Sequence, residues 1–291
     1  MKSAVALVRQ ISADIVRKHL MLASAGLAYY LLMAMIPVLI VLSAVVASLP
    51  FKNGMEGVSA FVANVLPGPA VPAIEKILET VSPHRSGLIS FGLITSVWLA
   101  SKAVKGVIMG LDTAYGAQKP RQIWTNRILA FVLTLAVGIL LVIGVLLMLA
   151  GPWLGKMFSK MAPIESLWLQ LWPYMQWLLS AVIMFSSIEV MYVFAPNVAI
   201  AGRRTVPGAL FAALSWIVLS WGFGFYLYRY GAKLDNFYGV VALPIAFMIW
   251  MYWISGAILL GAEINSSLDY LWPRKLAHQP ILRIARSRLS A

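Results

Sequence analysis

Hydrophobic side chains fall into six long blocks, separated by shorter stretches where proline, glycine and charge collect. The blocks run Met21 to Leu49, Leu88 to Ile108, Ile128 to Ala150, Tyr174 to Pro196, Val206 to Tyr228 and Val240 to Ile264. Each meets or exceeds the roughly 20 residues that an α-helix needs to cross the hydrocarbon core of a bilayer. The pattern therefore predicts an all-α polytopic membrane protein, with six transmembrane helices forming one helical domain over residues 1–291. The first block is far longer than the apolar core of a signal peptide, about 7 to 15 residues, so it is expected to stay as a helix, kinked at Pro37.

The segments between the blocks carry patterns of their own. In residues 1–20, Val5, Val8, Ile11 and Ile15 share one helical face that Arg9, Arg17 and Lys18 mostly avoid. That spacing fits a short helix lying in the membrane interface, and equally a snorkelling extension of the first span. In residues 50–87, Val58, Phe61, Val62, Val65 and Leu66, then Ile74, Ile77, Leu78 and Val81, repeat at helical spacing on either side of PGPAVP. Two amphipathic helices joined by a proline turn are expected there, capping the bundle or floating at its outer interface. Between Gly151 and Pro173 the prolines at 152, 163 and 173 are expected to break any long helix, and Trp153, Trp168 and Trp172 read as headgroup anchors. Small residues mark expected packing seams: Ser24 with Ala28, then Ala209, Ala213, Ser220 and Gly224, then Ala257 with Gly261.

Charge orients the blocks. Lys2, Arg9, Arg17, Lys18, Lys119, Arg121, Arg127, Arg203, Arg204, Arg274, Lys275, Arg283, Arg286 and Arg288 fall on one side, 14 in all; Lys52, Lys76, Arg85, Lys156, Lys160, Arg229 and Lys233 make 7 on the other. Lys and Arg in short loops are retained on the cytoplasmic side, so both termini are expected in the cytoplasm. Composition agrees, at 61% hydrophobic and 11% charged residues. The net charge of +13 is mostly topological, because the excess flanks the blocks; no nucleic-acid partner is implied. The basic tail, residues 265–291, is positioned to meet anionic lipid, at about 1 kcal/mol per basic residue. With no cysteine, disulfide and thiol chemistry are excluded.

Candidate chemistry is sparse. Glu189 lies inside SAVIMFSSIEVMYVFAP, where a charge needs a partner, a proton or a watery cavity. Lys102 is about 14 residues, roughly 21 Å, from Leu88 and shares the inner half of its span with Lys105. An ion pair between these lysines and Glu189 is geometrically allowed. It is open whether such a pair is a strut, whether it is a proton-linked or headgroup site, or whether Glu189 is simply neutral. Asp112, seven residues after Lys105, is a second partner for it, and completes the inner polar site. At the outer side, YLYRYGAKLDNFYG sets Arg229, Lys233 and Asp235 among tyrosines, as exposed loop charges or as a site for an anionic headgroup.

Enzyme chemistry finds no support in the pattern. His19, His84 and His278 lack metal-site spacing, and no phosphate-binding glycine loop, nucleophile elbow or metalloprotease helix occurs. No metal and no cofactor is expected.

The stretches ASAGLAYYLLMAMIP (23–37), WLASKAVKGVIMGLDTAYG (98–116), PGALFAALSW (from 207) and FYGVVALPIAFMIWMYWISGAILLGAEIN (to 265) together resemble the YihY/BrkB family of six-helix bacterial inner-membrane proteins, once labelled ribonuclease BN. The resemblance spans most of the chain, with aromatic, proline, glycine and polar positions coinciding. It implies the family topology and a bacterial inner-membrane location, and carries over no catalytic motif, so ribonuclease activity is not expected. The expectation is a non-enzymatic transporter or translocation factor for an amphipathic, anionic envelope lipid, along a path from Lys102, Lys105 and Glu189 toward Arg229 and Lys233, with Pro37 and Pro244 as flexible points. The alternative is a structural or assembly protein whose residues 50–87 dock an envelope protein partner. Membrane lipids are the expected partners in either case, and the pattern leaves the oligomeric state open.

Overall fold

The computed structural model describes residues 2–47, 86–117, 121–159, 165–198 and 204–271. The helices there are α1 (Lys2–Arg17), α2 (Leu20–Ala47), α3 (Ser86–Ala114), α4 (Ile123–Ser159), α5 (Glu165–Phe194), α6 (Val206–Tyr238) and α7 (Ala242–Leu271), with one 3-10 turn at Gly239–Val241; no strand occurs among the described residues. Helices thus occupy all six hydrophobic blocks. Four of them contain segments long and apolar enough to cross a membrane, Ile123–Gly144, Leu167–Phe194, Val206–Gly231 and Pro244–Leu271, and α2 contributes a shorter apolar stretch, Leu20–Ala34. The amphipathic helices expected in 50–87 lie outside the described residues.

Residue pairs in contact link α2 with α3 and α7, α3 with α4, α4 with α5, α5 with α6, and α6 with α7; α1 packs on α2 and α7. Helix α7 is the most enclosed of the four long apolar helices and α4 the least. Because α2 to α7 alternate in direction, one end of the bundle collects the starts of α2, α4 and α6 and the ends of α3, α5 and α7. The main apolar core sits toward that end, around Leu27, Ile108, Leu111, Tyr192 and Leu259.

Local sequence explains the helix ends. His19 adopts a positive φ of 51°, which breaks the chain between α1 and α2, so α1 is a separate helix and not the start of the first span. Gly116, at φ 69°, ends α3: its N–H reaches Thr113 O at 3.1 Å while the Ala117 N–H reaches Asp112 O at 2.8 Å. This is the left-handed glycine cap that satisfies the last carbonyls of a helix. Gly116→Ala is expected to destabilise the protein by about 1 kcal/mol, read as a lowered midpoint of unfolding in detergent. Pro244 falls in the first turn of α7, where a missing N–H costs no helical hydrogen bond, so it is no internal break. Helix α2 runs on through Pro37.

Three expectations about helix ends are corrected. Helix α4 continues past Pro152 to Ser159, and α5 starts at Glu165 and passes through Pro173. A ladder of side-chain donors binds the two: Trp168 Nε1 donates to Gly155 O at 3.0 Å, Trp172 Nε1 to Gly151 O at 2.6 Å, and Gln176 Nε2 to Leu147 O at 3.2 Å. Steps of four residues on both helices keep the rungs aligned. Glycine is required at two of them, because a Cβ on Gly151 would lie 2.3 Å from Gln176 and one on Gly155 2.5 Å from Trp172. Trp172 is buried, so it is a packing residue and not a headgroup anchor. Second, α6 extends to Tyr238, which places Arg229, Lys233 and Asp235 on a helix instead of in a loop. Third, α7 runs to Leu271, so residues 265–271 belong to the bundle and not to the tail.

The small-residue seams are packed at the polar end and open elsewhere. Ser24, Ala28, Ala209, Ala213, Ala257 and Gly261 are buried, whereas nothing would meet a Cβ on Gly224. In that half, aromatic rings join α6 to α7: Phe223 and Trp250 stack with centroids 5.4 Å apart.

Candidate functional site

Polar side chains converge at the end of the bundle where α3, α5 and α7 finish and α2 and α6 begin. Two groups occupy it. The first is built on Lys18, in the break between α1 and α2. Its Nζ donates to Glu263 Oε2 at 2.7 Å and to Ala114 O at 2.7 Å, and lies 3.7 Å from Asp14 Oδ2. Arg17 pairs with Asp14 Oδ1 at 2.6 Å, Gln10 Nε2 donates to Asp14 Oδ2 at 2.9 Å, and Ser267 Oγ donates to Glu263 Oε1 at 3.2 Å. The Glu263 side chain is 0% exposed. Two carboxylates thus face two cations, and each oxygen of both carboxylates has a partner. Burial pushes the Asp14 carboxyl up, but hydrogen bonds with Glu263 and Gln10 and the charges of Lys18 and Arg17 outweigh it and hold the group below its ordinary value.

Asn265 centres the second group. Its Oδ1 accepts the Gly208 N–H at 2.7 Å, and its Nδ2 donates to Thr205 O at 2.8 Å and to Tyr115 Oη at 3.1 Å. Thr205 stands at the N-cap of α6, where its hydroxyl would ordinarily accept an N–H of the first turn. Pro207 has no N–H, and Asn265 has taken the one on Gly208, so the Thr205 hydroxyl is released and donates to Glu189 Oε1. Glu189 Oε2 is buried, with no hydrogen-bond partner among the described residues. Helices α6 and α7 touch backbone to backbone here: a Cβ on Gly208 would sit 1.9 Å from Gly261 O. Tyr192 donates its hydroxyl to Ile258 O, and its ring meets Tyr115 edge-on at 6.4 Å.

Of the residues singled out from the sequence, Glu189 and Asp112 lie at this end. Asp112 Oδ1 accepts the Asn197 N–H at 2.6 Å, and Arg121 donates to Ala195 O at 3.0 Å, so the ends of α3 and α5 are tied together. The ion pair of Glu189 with Lys102 or Lys105 is not formed. Both lysines are exposed, and Lys102 Nζ lies 3.6 Å from the centroid of the Trp98 ring. The buried face of α3 is instead Ala103, Gly106, Val107, Gly110 and Leu111, where Gly106 makes room for Tyr30 and Gly110 for Leu259. Asp112 is correspondingly engaged by Asn197 and not by Lys105. Arg229 and Lys233 are exposed on α6, and Lys233 Nζ is 6.0 Å from the Tyr230 ring centroid.

Lys18, Glu263 and Asn265 went unidentified as site residues in the sequence. A signal existed for Glu263, which lies inside the sixth hydrophobic block as Glu189 lies inside the fourth.

Beside the Lys18 group an apolar cavity of about 500 Å³ opens between α1, α2, α6 and α7. Ile15, Met21, Phe211, Val218, Trp253 and Leu260 line it, with Ser24, Ser215 and Tyr252 as its hydroxyl-bearing residues. Leu260 is one helical turn from Glu263, and Ile15 is three residues from Lys18, so the apolar space adjoins the charged cluster.

The protein-family model described as Virulence factor BrkB matches residues 11–281. The ribonuclease-like protein YfkH of Bacillus subtilis is 31% identical over 246 residues, 84% of this chain and 88% of that protein. UPF0761 membrane proteins of Stenotrophomonas maltophilia and Aromatoleum aromaticum are 27% and 25% identical over 84% and 86% of this chain; the chain spans 57% and 60% of their lengths. No solved structure matches. With its family match running over nearly the whole helical bundle, the chain belongs to the BrkB/UPF0761 family of membrane proteins.

Proposed function

We propose that the protein is a non-enzymatic translocation factor for an amphipathic envelope lipid, set in a bacterial inner membrane with six spans and with the polar end and both termini on the cytoplasmic side. The observation that carries this reading is the apolar cavity abutting the Asp14–Arg17–Lys18–Glu263 cluster. A cavity walled by Met21, Phe211, Val218 and Leu260 suits acyl chains, and the neighbouring exposed Arg17 and the interfacial charges suit an anionic headgroup. The positive-inside bias supports a cytoplasmic setting for the same end of the bundle. Glu189 belongs to this path as its polar interior, and Lys102, Lys105, Arg229 and Lys233 serve it from the surface as headgroup contacts along α3 and α6.

The name of the Bacillus relative does not bring a nuclease to this chain. Ribonucleolysis needs acid, base or metal-ligand groups gathered where a polyanion can reach them. Here Asp14 and Glu263 are buried and committed to Arg17 and Lys18.

Filling the cavity tests the proposal. A Cβ on Gly256, which lines it, would make only an ordinary contact, 3.7 Å from Ser24 Oγ. Gly256→Phe is expected to leave the bundle folded and to slow the movement of fluorescent anionic lipid in reconstituted vesicles by about tenfold or more, equivalent to about 1.4 kcal/mol on the barrier. Unchanged lipid movement in a folded Gly256→Phe protein sinks the cavity as the route.

A further inference from the structure

Glu189 differs from the other buried carboxylate of the spans in one respect. Glu263 has a partner on each oxygen and a lysine at 2.7 Å, whereas among the described residues Glu189 has one hydrogen bond and no cation. The charged and titratable groups around it are otherwise engaged. Tyr192, on the next turn of α5, donates to Ile258 O, and Tyr115 of α3 is bonded by Asn265. Arg121, ahead of α4, serves Ala195 O, and Asp112 of α3 takes the Asn197 N–H. Arg204 of the segment before α6 gives its backbone N–H to Asp269 of α7 at 3.1 Å and forms no ion pair with Glu189.

Neither protonation state of Glu189 is therefore fully satisfied. Ionised, it has a single hydroxyl on Oε1, while Oε2 is buried with no donor among the described residues. Neutral, with the hydrogen on Oε2, it presents an O–H that has no acceptor among the described residues. In both states Thr205 donates to Oε1, so the carboxyl stays in place while its other oxygen changes state. A carboxyl held on one oxygen, with no partner on the other among the described residues, is suited to exchange.

We infer that Glu189, anchored on one oxygen by Thr205 and unpartnered on the other, is a proton-exchange site through which the bundle draws on the proton gradient. The step is balanced at one atom: Oε2 forms an O–H bond with a proton delivered by water, the carboxylate becomes a neutral acid, and release of that proton to water restores the charge. Asn265 is a positioning residue, because by capping Gly208 it frees the Thr205 hydroxyl for Glu189. The use of the proton rests on the translocation reading above; the existence of the site does not.

Infrared difference spectra between mildly acidic and neutral pH separate the two. The probe is the full chain in nanodiscs of phosphatidylethanolamine and phosphatidylglycerol. A carboxylic-acid carbonyl band that appears on acidification and is missing from Glu189→Gln is expected. In Thr205→Ala that band moves to higher wavenumber, since the hydrogen bond on the carbonyl oxygen Oε1 has been lost. A spectrum that Glu189→Gln leaves unchanged, or a band whose position Thr205→Ala leaves unmoved, overturns the site. Lipid movement is then measured in vesicles of the same lipids with and without an imposed pH difference. Movement that responds to the difference in wild type and not in Glu189→Gln supports coupling, and movement indifferent to it in wild type overturns coupling. Normal titration in a protein that moves no lipid at all upholds the proton site and removes the translocation reading alone.

Discussion

Lys18→Met is expected to destabilise the folded bundle by about 3–5 kcal/mol, the range found when one member of a buried ion pair is removed. Glu263 is fully enclosed, and Lys18 is the cation on its Oε2. Without it Glu263 loses its cation and keeps the Ser267 hydroxyl and the contact with Asp14, itself acidic, and the backbone carbonyl of Ala114 loses its donor as well. Much of the loss is the penalty of stranding a charge and not the worth of the bridge. The double variant Lys18→Met/Glu263→Met should therefore recover more than half of it, because apolar replacements of similar volume remove the stranded charge altogether. Unfolding in mixed detergent micelles measures both proteins. A double variant no more stable than Lys18→Met would show that the damage lies in packing and that the charge is not what matters.

Gly208→Ala is expected to be at least as damaging, about 3 kcal/mol or more. Overpacking a core usually costs about 1–3 kcal/mol because side chains can yield. At this crossing the obstacle is backbone: the new Cβ would lie 1.9 Å from Gly261 O and 2.5 Å from Asn265 Nδ2. Relief requires α6 and α7 to separate, which also breaks the Asn265 cap on Gly208. Gly222, on the same helix, has open space at its Cβ position. Gly222→Ala should instead stabilise by about 0.5–1 kcal/mol, through the lower chain entropy of alanine in a helix. Equal effects of the two substitutions in the same unfolding assay would remove the backbone crossing as their cause.

The helices were legible in the sequence because a continuous apolar run of span length has to satisfy its own backbone in lipid, and a helix does so within one segment. Their ends were harder to read. Prolines at 152 and 173 are local signals for a break, and donors more than ten residues away in the chain overrule them. The rotation of α3 was not legible: an ion pair needs facing azimuths as well as matching depth, and Lys102 and Lys105 both fall outside the buried face of the helix. Gly106 and Gly110 marked the buried face, since small residues let helices approach. Lys18 was counted only as a topological charge, and nothing in its immediate neighbours reveals a partner 245 positions away. Glu263 was open to the same argument as Glu189, being a carboxylate within an apolar block, and its place near the end of that block disguised it.

The distance in sequence between Lys18 and Glu263 has a consequence for biogenesis. Lys18 leaves the ribosome ahead of α2, whereas its carboxylate arrives only with α7, the last of the described helices. Until α7 is made, then, Lys18 lacks its carboxylate on that helix, and Asp14 and the Ala114 carbonyl are the partners that come earlier. The arrival of α7 brings the carboxylate, the cap for α6 and the surface on which α1, α2 and α6 pack, so the packing of the earlier helices waits on α7.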